Sequence, residues 1–156
     1  MIRSLIFSLL LVAGCAFAAG SSPESPPNIW LSYKDAFAAA VKDHRPVFVA
    51  FYADWCVPCR VMEANVFPDD QVAGILQKEF HPVHLDIESE EEIPCEGKKL
   101  SIKKCFTDQL KLKGLPSFVV FDERGVSLLS FSGAMGAVSM KKFLTKILND
   151  GIRGSK

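Results

Sequence analysis

Val47-Phe48-Val49-Ala50-Phe51-Tyr52-Ala53-Asp54-Trp55-Cys56-Val57-Pro58-Cys59 decides how the rest of this chain is read. Residues 47–52 are apolar on both faces, the mark of a central strand covered on two sides. Arg60-Val61-Met62-Glu63-Ala64-Asn65 continues as helix. Two cysteines two residues apart therefore fall where a strand passes into a helix. Cys56 then meets unpaired backbone N–H groups and the positive end of the helix dipole, and both favour thiolate over thiol. Cys59 lies one turn further on, within reach to close a disulfide. Zinc is the competing use of such a pair, but it needs two more ligands. The spacing to Cys95 and Cys105 fits no common finger, so no metal is assigned.

With 156 residues, about half of them hydrophobic, the prior is one globular domain. Eighteen basic and eighteen acidic residues balance. The pairs Lys98-Lys99 and Lys103-Lys104 carry no interleaved aromatics, so they read as a solvated face and no nucleic-acid partner is expected.

Residues 1–19 read as a signal peptide. Arg3 supplies the positive start, and residues 5–13 form an apolar stretch too short to span a bilayer. Two exits are compatible with it. Ala16-Phe17-Ala18 offers ordinary cleavage, whereas Val12-Ala13-Gly14-Cys15 resembles the bacterial lipobox, with Cys15 lipidated at the mature N-terminus. The chain has five cysteines, and lipidation of Cys15 would leave an even four. Residues 20–28, rich in Ser and Pro, suit a tether, and 29–151 form the folded domain. Either exit implies a periplasmic, oxidising compartment, membrane-anchored in the lipoprotein case.

Within the domain, residues 28–31 are predicted as a short first strand. Ser32 and Asp35 have capping-box character at the start of a helix that ends near His44 before Pro46. The helix carrying the cysteines stops before Pro68. Asp69 and Asp70 suit the first turn of a helix over 71–80. Residues 82–87 form the next strand, reached from 47–52 by a right-handed crossover and so parallel to it. His81 and His84 flank its start, point to opposite faces and make poor joint ligands. Residues 93–97 read as loop, and Ser101 caps a helix through Leu112 closed by Gly114. Residues 117–121 and 126–131 make a hairpin around 122–125, and Met140, Phe143, Leu144, Ile147 and Leu148 stripe a last helix. The order implies a mixed central sheet with helices on both faces.

Three motifs in order resemble the thioredoxin superfamily across roughly residues 30–150: Phe51 to Cys59, then Val66-Phe67-Pro68-Asp69-Asp70-Gln71-Val72, then Gly114-Leu115-Pro116-Ser117. Within it the likeness is to the C-terminal periplasmic domain of the thiol transporter DsbD, here without a transmembrane portion. The resemblance implies a thioredoxin fold with an insertion before a cis-proline loop, and a thiol–disulfide oxidoreductase without cofactor. It would act on protein thiols and disulfides as a reductase, with a membrane thiol transporter as electron donor. An oxidase or isomerase of the same fold, and a non-catalytic binding or metallochaperone module, are the alternatives.

The same resemblance distributes roles. Cys56 is the nucleophile and Cys59 the resolving thiol. Pro58 occupies the C-x-P-C position, and Trp55 shapes the contact surface or serves the core. Pro116 is the cis-proline, beside which the Leu115 backbone would pair with substrate. The family's buried Asp on the central strand is replaced by Ala50, which puts its proton route in doubt. Glu63, four residues after Cys59 and on the same helical face, is the substitute, or else a solvated surface acid. Cys95 and Cys105 lie in the insertion, and a structural disulfide between them is the economical reading; a second redox relay and copper binding remain open.

Overall fold

A computed structural model describes residues 28–151. The predicted leader over 1–19, Cys15 within it, and the tether over 20–27 lie outside the described residues. Helix α1 (Tyr33–Asp43) starts where Ser32 accepts a hydrogen bond from the Asp35 N–H, and it ends at His44 in the left-handed conformation. Strand β1 (Val47–Tyr52) follows, then α2 (Val57–Asn65) and α3 (Asp70–Glu79). The Asp69 carboxylate caps α3 by accepting from the N–H groups of Gln71 and Val72. β2 (His81–Asp86) lies parallel to β1, with Val47 opposite His81 and Tyr52 opposite Asp86. β5 (Ser117–Phe121) and β6 (Ser127–Ser132) form the later hairpin, and α5 (Ala137–Asn149) closes the fold.

The main sheet has the order β2-β1-β5-β6, with β1–β2 parallel and β1–β5 and β5–β6 antiparallel. Alternation along β1 divides the core. Val47, Val49 and Phe51 face α1, where Ala36 and Ala40 let the helix approach closely. Phe48 and Ala50 face the other layer, formed by Met62 of α2, Leu76 of α3 and Leu144 of α5. A sheet covered on both sides demands this uninterrupted apolar run in its central strand.

Four expectations need correction. Residues 28–31 do not form a strand; Leu31 alone makes a bridge to Val83, and its N–H bonds the Pro82 carbonyl. Trp30 lays its ring against Phe67 and His84, so the segment meets β2 at this one bridge and is otherwise held by side-chain packing. Residues 93–97 are not loop. β3 (Glu92–Cys95) and β4 (Lys98–Ser101) pair antiparallel in a separate hairpin. Its two turn residues, Glu96 and Gly97, both have positive φ, as a two-residue hairpin turn that follows the natural strand twist requires. Ile93 and Cys95 point inward while Glu92 and Pro94 face out, so the period was two.

The helix predicted from Ser101 through Leu112 is shorter and changes type. A turn α4 (Ile102–Lys104) widens into a π-helical turn over Cys105–Gln109. The positive φ that ends this stretch belongs to Lys111, not to Gly114. The widened turn is where the crosslink from Cys95 enters and where Phe106 packs on Phe51, ring centroids 5.5 Å apart.

Candidate active site

Cys56 is the N-cap of α2, and Pro58 sits in its first turn, where a missing N–H costs no helical bond. The Cys56 Sγ accepts a hydrogen bond from the Cys59 N–H at 3.2 Å. The two cysteines are joined as a disulfide, with Cα atoms 5.3 Å apart. The loop before them is held from behind. The Cys56 N–H bonds the Ala53 carbonyl, and the Arg60 guanidinium donates to the Asp54 carbonyl. Cys56 is 4% exposed and Cys59 6%, whereas Trp55 is 65% exposed and Val57 and Val61 also stand in solvent. A shielded sulfur pair rimmed by exposed apolar side chains is a surface built for contact.

The Leu115–Pro116 peptide is cis. Its loop is fixed at three points. The Ser117 hydroxyl lies 2.6 Å from the Gly114 carbonyl oxygen and 2.7 Å from the Ser132 hydroxyl, and the Gly133 N–H donates to the Pro116 carbonyl. Ser117 pairs with Phe51 in register, so Pro116 stands at the same end of the sheet as the loop bearing Cys56.

Glu63 does not simply face solvent. Its Oε1 accepts a hydrogen bond from the Trp30 indole N–H at 3.2 Å, and its Oε2 lies 3.8 Å from His84 Nε2. The His84 ring is stacked between Tyr52, centroids 3.8 Å apart, and Trp30, at 4.7 Å. Burial pushes His84 down to about 4 against the opposing pull of the Asp86 charge, so the imidazole is neutral at neutral pH. Tyr52 is pushed up, first by burial and then by the negative charges of Asp86, Asp54 and Glu63.

His84 is the register partner of Ala50 and therefore shares its face of the sheet, the face that α2 covers. Reading the sequence missed this grouping of Trp30, Tyr52, Glu63 and His84. The available signal was a histidine in mid-strand on the face that Ala50 shares. His81 takes the opposite face, where it is buried and pairs with Asp43 at 2.9 Å.

Cys95 and Cys105 form the second disulfide, joining β3 to the π turn, and both lie fully within the core that packs on α1. The structure thus holds Cys56, Cys59, Pro58 and Trp55 together at one end of β1, with Leu115 and Pro116 at the same end. Glu63 of α2 lies beside His84, and Cys95 and Cys105 belong to the insertion.

A disulfide-bonded cysteine pair starting a helix, at the same end of a four-stranded mixed sheet as a cis-proline loop, defines the thioredoxin class of fold. The family model described as a thioredoxin-like domain matches residues 33–148, and the chain belongs to that family. It is 29% identical over 112 residues to the thiol:disulfide interchange protein DsbD of Pseudoalteromonas atlantica, covering 69% of this chain and 17% of that protein. To the protein disulfide-isomerase of Medicago sativa it is 28% identical over 147 residues, 93% of this chain and 26% of the relative. The chain thus spans about a quarter or less of the length of these curated relatives. Among solved structures, a DsbH oxidoreductase superposes with a TM-score of 0.60 at 22% identity, covering 85% of this chain and 96% of that one. The reduced C-terminal domain of Neisseria meningitidis DsbD gives 0.56 at 23% identity, covering 72% and 91%. Both likenesses are in fold.

Proposed function

We propose that this chain is an exported reductase of protein disulfides, working by dithiol exchange through Cys56 and Cys59. The observation that carries the reading is the placement of Cys56 at the α2 N-cap, bonded to Cys59 and at the same sheet end as the cis-proline loop. In the dithiol form the Cys56 thiolate attacks one sulfur of a substrate disulfide. A mixed disulfide forms and the first substrate thiolate leaves. Cys59 loses its proton and attacks the Cys56 sulfur, the mixed disulfide breaks, and the second substrate thiolate leaves. The substrate has gained two electrons and the enzyme holds the disulfide seen here. Leu115 offers backbone to the substrate chain, and Trp55 offers apolar surface beside it.

Sustained reduction in an oxidising compartment needs a donor, and a membrane thiol transporter is the partner that fits. The leader-like residues 1–19 support export, and the lipobox-like Cys15 supports a lipid anchor to the membrane. The reduction potential of the Cys56–Cys59 pair tests the direction of flow. A reductase has a value near that of thioredoxin, about −270 mV; a value near −120 mV would make it an oxidase.

Glu63 is the group through which the Cys59 proton leaves, in place of the carboxylate that Ala50 lacks. The Trp30 indole N–H holds it in position, with the His84 ring beside it. Glu63→Gln keeps the indole hydrogen bond and removes the titrating group. The variant is expected to slow substrate reduction about tenfold or more at neutral pH and to change the shape of the pH–rate profile. A profile superimposable on that of the parent would make Glu63 a surface acid.

A further inference from the structure

β6 (Ser127–Ser132) closes the main sheet on one side, and its sequence Ser-Leu-Leu-Ser-Phe-Ser carries neither charge nor proline. Edge strands with open N–H and C=O groups invite further pairing, and proteins blunt them with prolines, charges or a covering segment. Every other edge among the described residues is blunted in one of these ways. β2, the opposite edge, contains Pro82 and is bridged by Leu31. In the separate hairpin, β3 contains Glu92 and Pro94, and β4 contains Lys98 and Lys99.

The open length of β6 runs from Leu128 to Ser132. The first residue is taken, because the Ser127 N–H and hydroxyl donate to the Glu96 carboxylate of the insertion. The register with β5 shifts only there, between Phe121 opposite Ser127 and Val120 opposite Leu129. Beyond it the pairing is regular through Ser132. The Gly133 N–H donates to the Pro116 carbonyl, and backbone direction alternates along an antiparallel ladder. The amides of Leu129 and Phe131 therefore point to β5, and those of Ser130 and Ser132 point to the open side. The side chains of Leu128 and Phe131 beside them are exposed, at 39% and 38%.

We propose that this edge takes an extended, uncharged segment of a protein substrate as a fifth strand, antiparallel to β6. Main-chain bonds at Ser130 and Ser132 hold the segment, and Leu128 and Phe131 give its side chains apolar contact. A charged segment finds no counter-charge on β6. A second copy of this chain is the poorer occupant. Pairing through this strand alone covers roughly 200 Å² per partner, from about 20 Å of strand and about 10 Å of sheet depth. A stable interface takes about 800 Å² from each partner. The edge also leads to the redox pair. Ser132 lies opposite Ser117, the residue after Pro116, and Ser117 lies opposite Phe51 near the end of β1, which leads to Cys56. A fifth strand stands three strand spacings from β1, about 14 Å, which about five extended residues cross. Antiparallel pairing starts the segment at that end, so the substrate cysteine precedes it. That the segment belongs to a substrate rests on the reductase reading; the pairing at the edge does not.

The test uses the full-length oxidised protein labelled with nitrogen-15 and the cysteine-free peptide N-acetyl-Thr-Val-Thr-Val-Thr-amide. A counterpart carries N-methyl groups on the three central amides and cannot donate there. The first peptide is expected to move the amide signals of Ser130 and Ser132 saturably and to slow their hydrogen exchange. The N-methylated peptide is expected to bind at least about tenfold more weakly. Ser130→Pro, tolerated on an edge where the N–H faces outward, is expected to weaken the first peptide by at least about tenfold. Equal binding of the two peptides, shifts centred on Trp55 and Val57, or no shift at millimolar peptide each overturns the proposal. So does undiminished binding by a folded Ser130→Pro. A dimer of the free protein that this variant dissociates would assign the edge to a second copy and overturn it too. If the variant does not fold, the comparison of peptides on the parent protein still decides. Neither peptide carries sulfur, so failure here is separate from failure of the redox reading.

Discussion

Cys56→Ser should reduce no insulin disulfide above background, a loss of at least ~10³-fold, while the protein keeps its fold. A serine hydroxyl remains protonated at neutral pH and cannot form the disulfide link on which exchange depends. Cys59→Ser is expected to differ in kind. The attack by Cys56 still proceeds, but nothing resolves it, so the variant accumulates as a mixed disulfide visible on a non-reducing gel and released by dithiothreitol. Trapping by the Cys56 variant instead would exchange the two roles. Retention of full turnover by Cys56→Ser would remove the pair from the reaction altogether.

The second large effect lies in the insertion. Removing both partners in Cys95→Ala/Cys105→Ala is expected to lower stability by about 3 kcal/mol, from closure of a loop with the observed sequence separation of 10. For a domain of this size that corresponds to a fall in melting temperature of about 10 °C. Urea unfolding followed by circular dichroism reads it directly. Reductase activity at 25 °C should persist, because the crosslink supports the wall behind β1 through Phe106 and Phe51 and takes no part in exchange. Unchanged stability with lost activity would be the signature of a relay, and would sink the structural reading.

Much of the frame could be read directly from residues. The uninterrupted apolar run of β1, the Ser32 cap, the Asp69 cap and the stripe along α5 each follow from a local rule that tertiary packing then reinforces. The insertion resisted for two reasons. Four-residue strands carry too few alternations to stand out, and Glu at the first turn position, left-handed here, conceals a turn usually announced by Asn or Asp. The π turn is not a matter of propensity, since only the position of the Cys95 partner shows where the helix is constrained.

At the site, the cysteines and Pro116 were legible because their chemistry is tied to short motifs. The surroundings of Glu63 were not. Trp30, Tyr52 and His84 come to it from three different segments, and only the register that sets His84 beside Ala50 brings them to one face. The sequence does show that a carboxylate is missing at position 50. Nearby stand His84 and Tyr52, stacked across β1 and β2, with Glu63 of α2 beside them.

On the proposed reductase function, the burial of Cys95 and Cys105 has a further meaning. Thiol–disulfide exchange requires a thiolate to approach along the sulfur–sulfur axis, and these two sulfurs belong to residues 0% and 1% exposed. Cys56 and Cys59, at the start of α2, are flanked by the exposed Trp55 and Val57, while the other pair lies in one core cluster with Ile93, Ile102 and Phe106. One chain can then hold two disulfides at different redox states in the same compartment, one cycling with each turnover and one closed once at folding. Restricted access slows exchange at the Cys95–Cys105 crosslink whatever its potential.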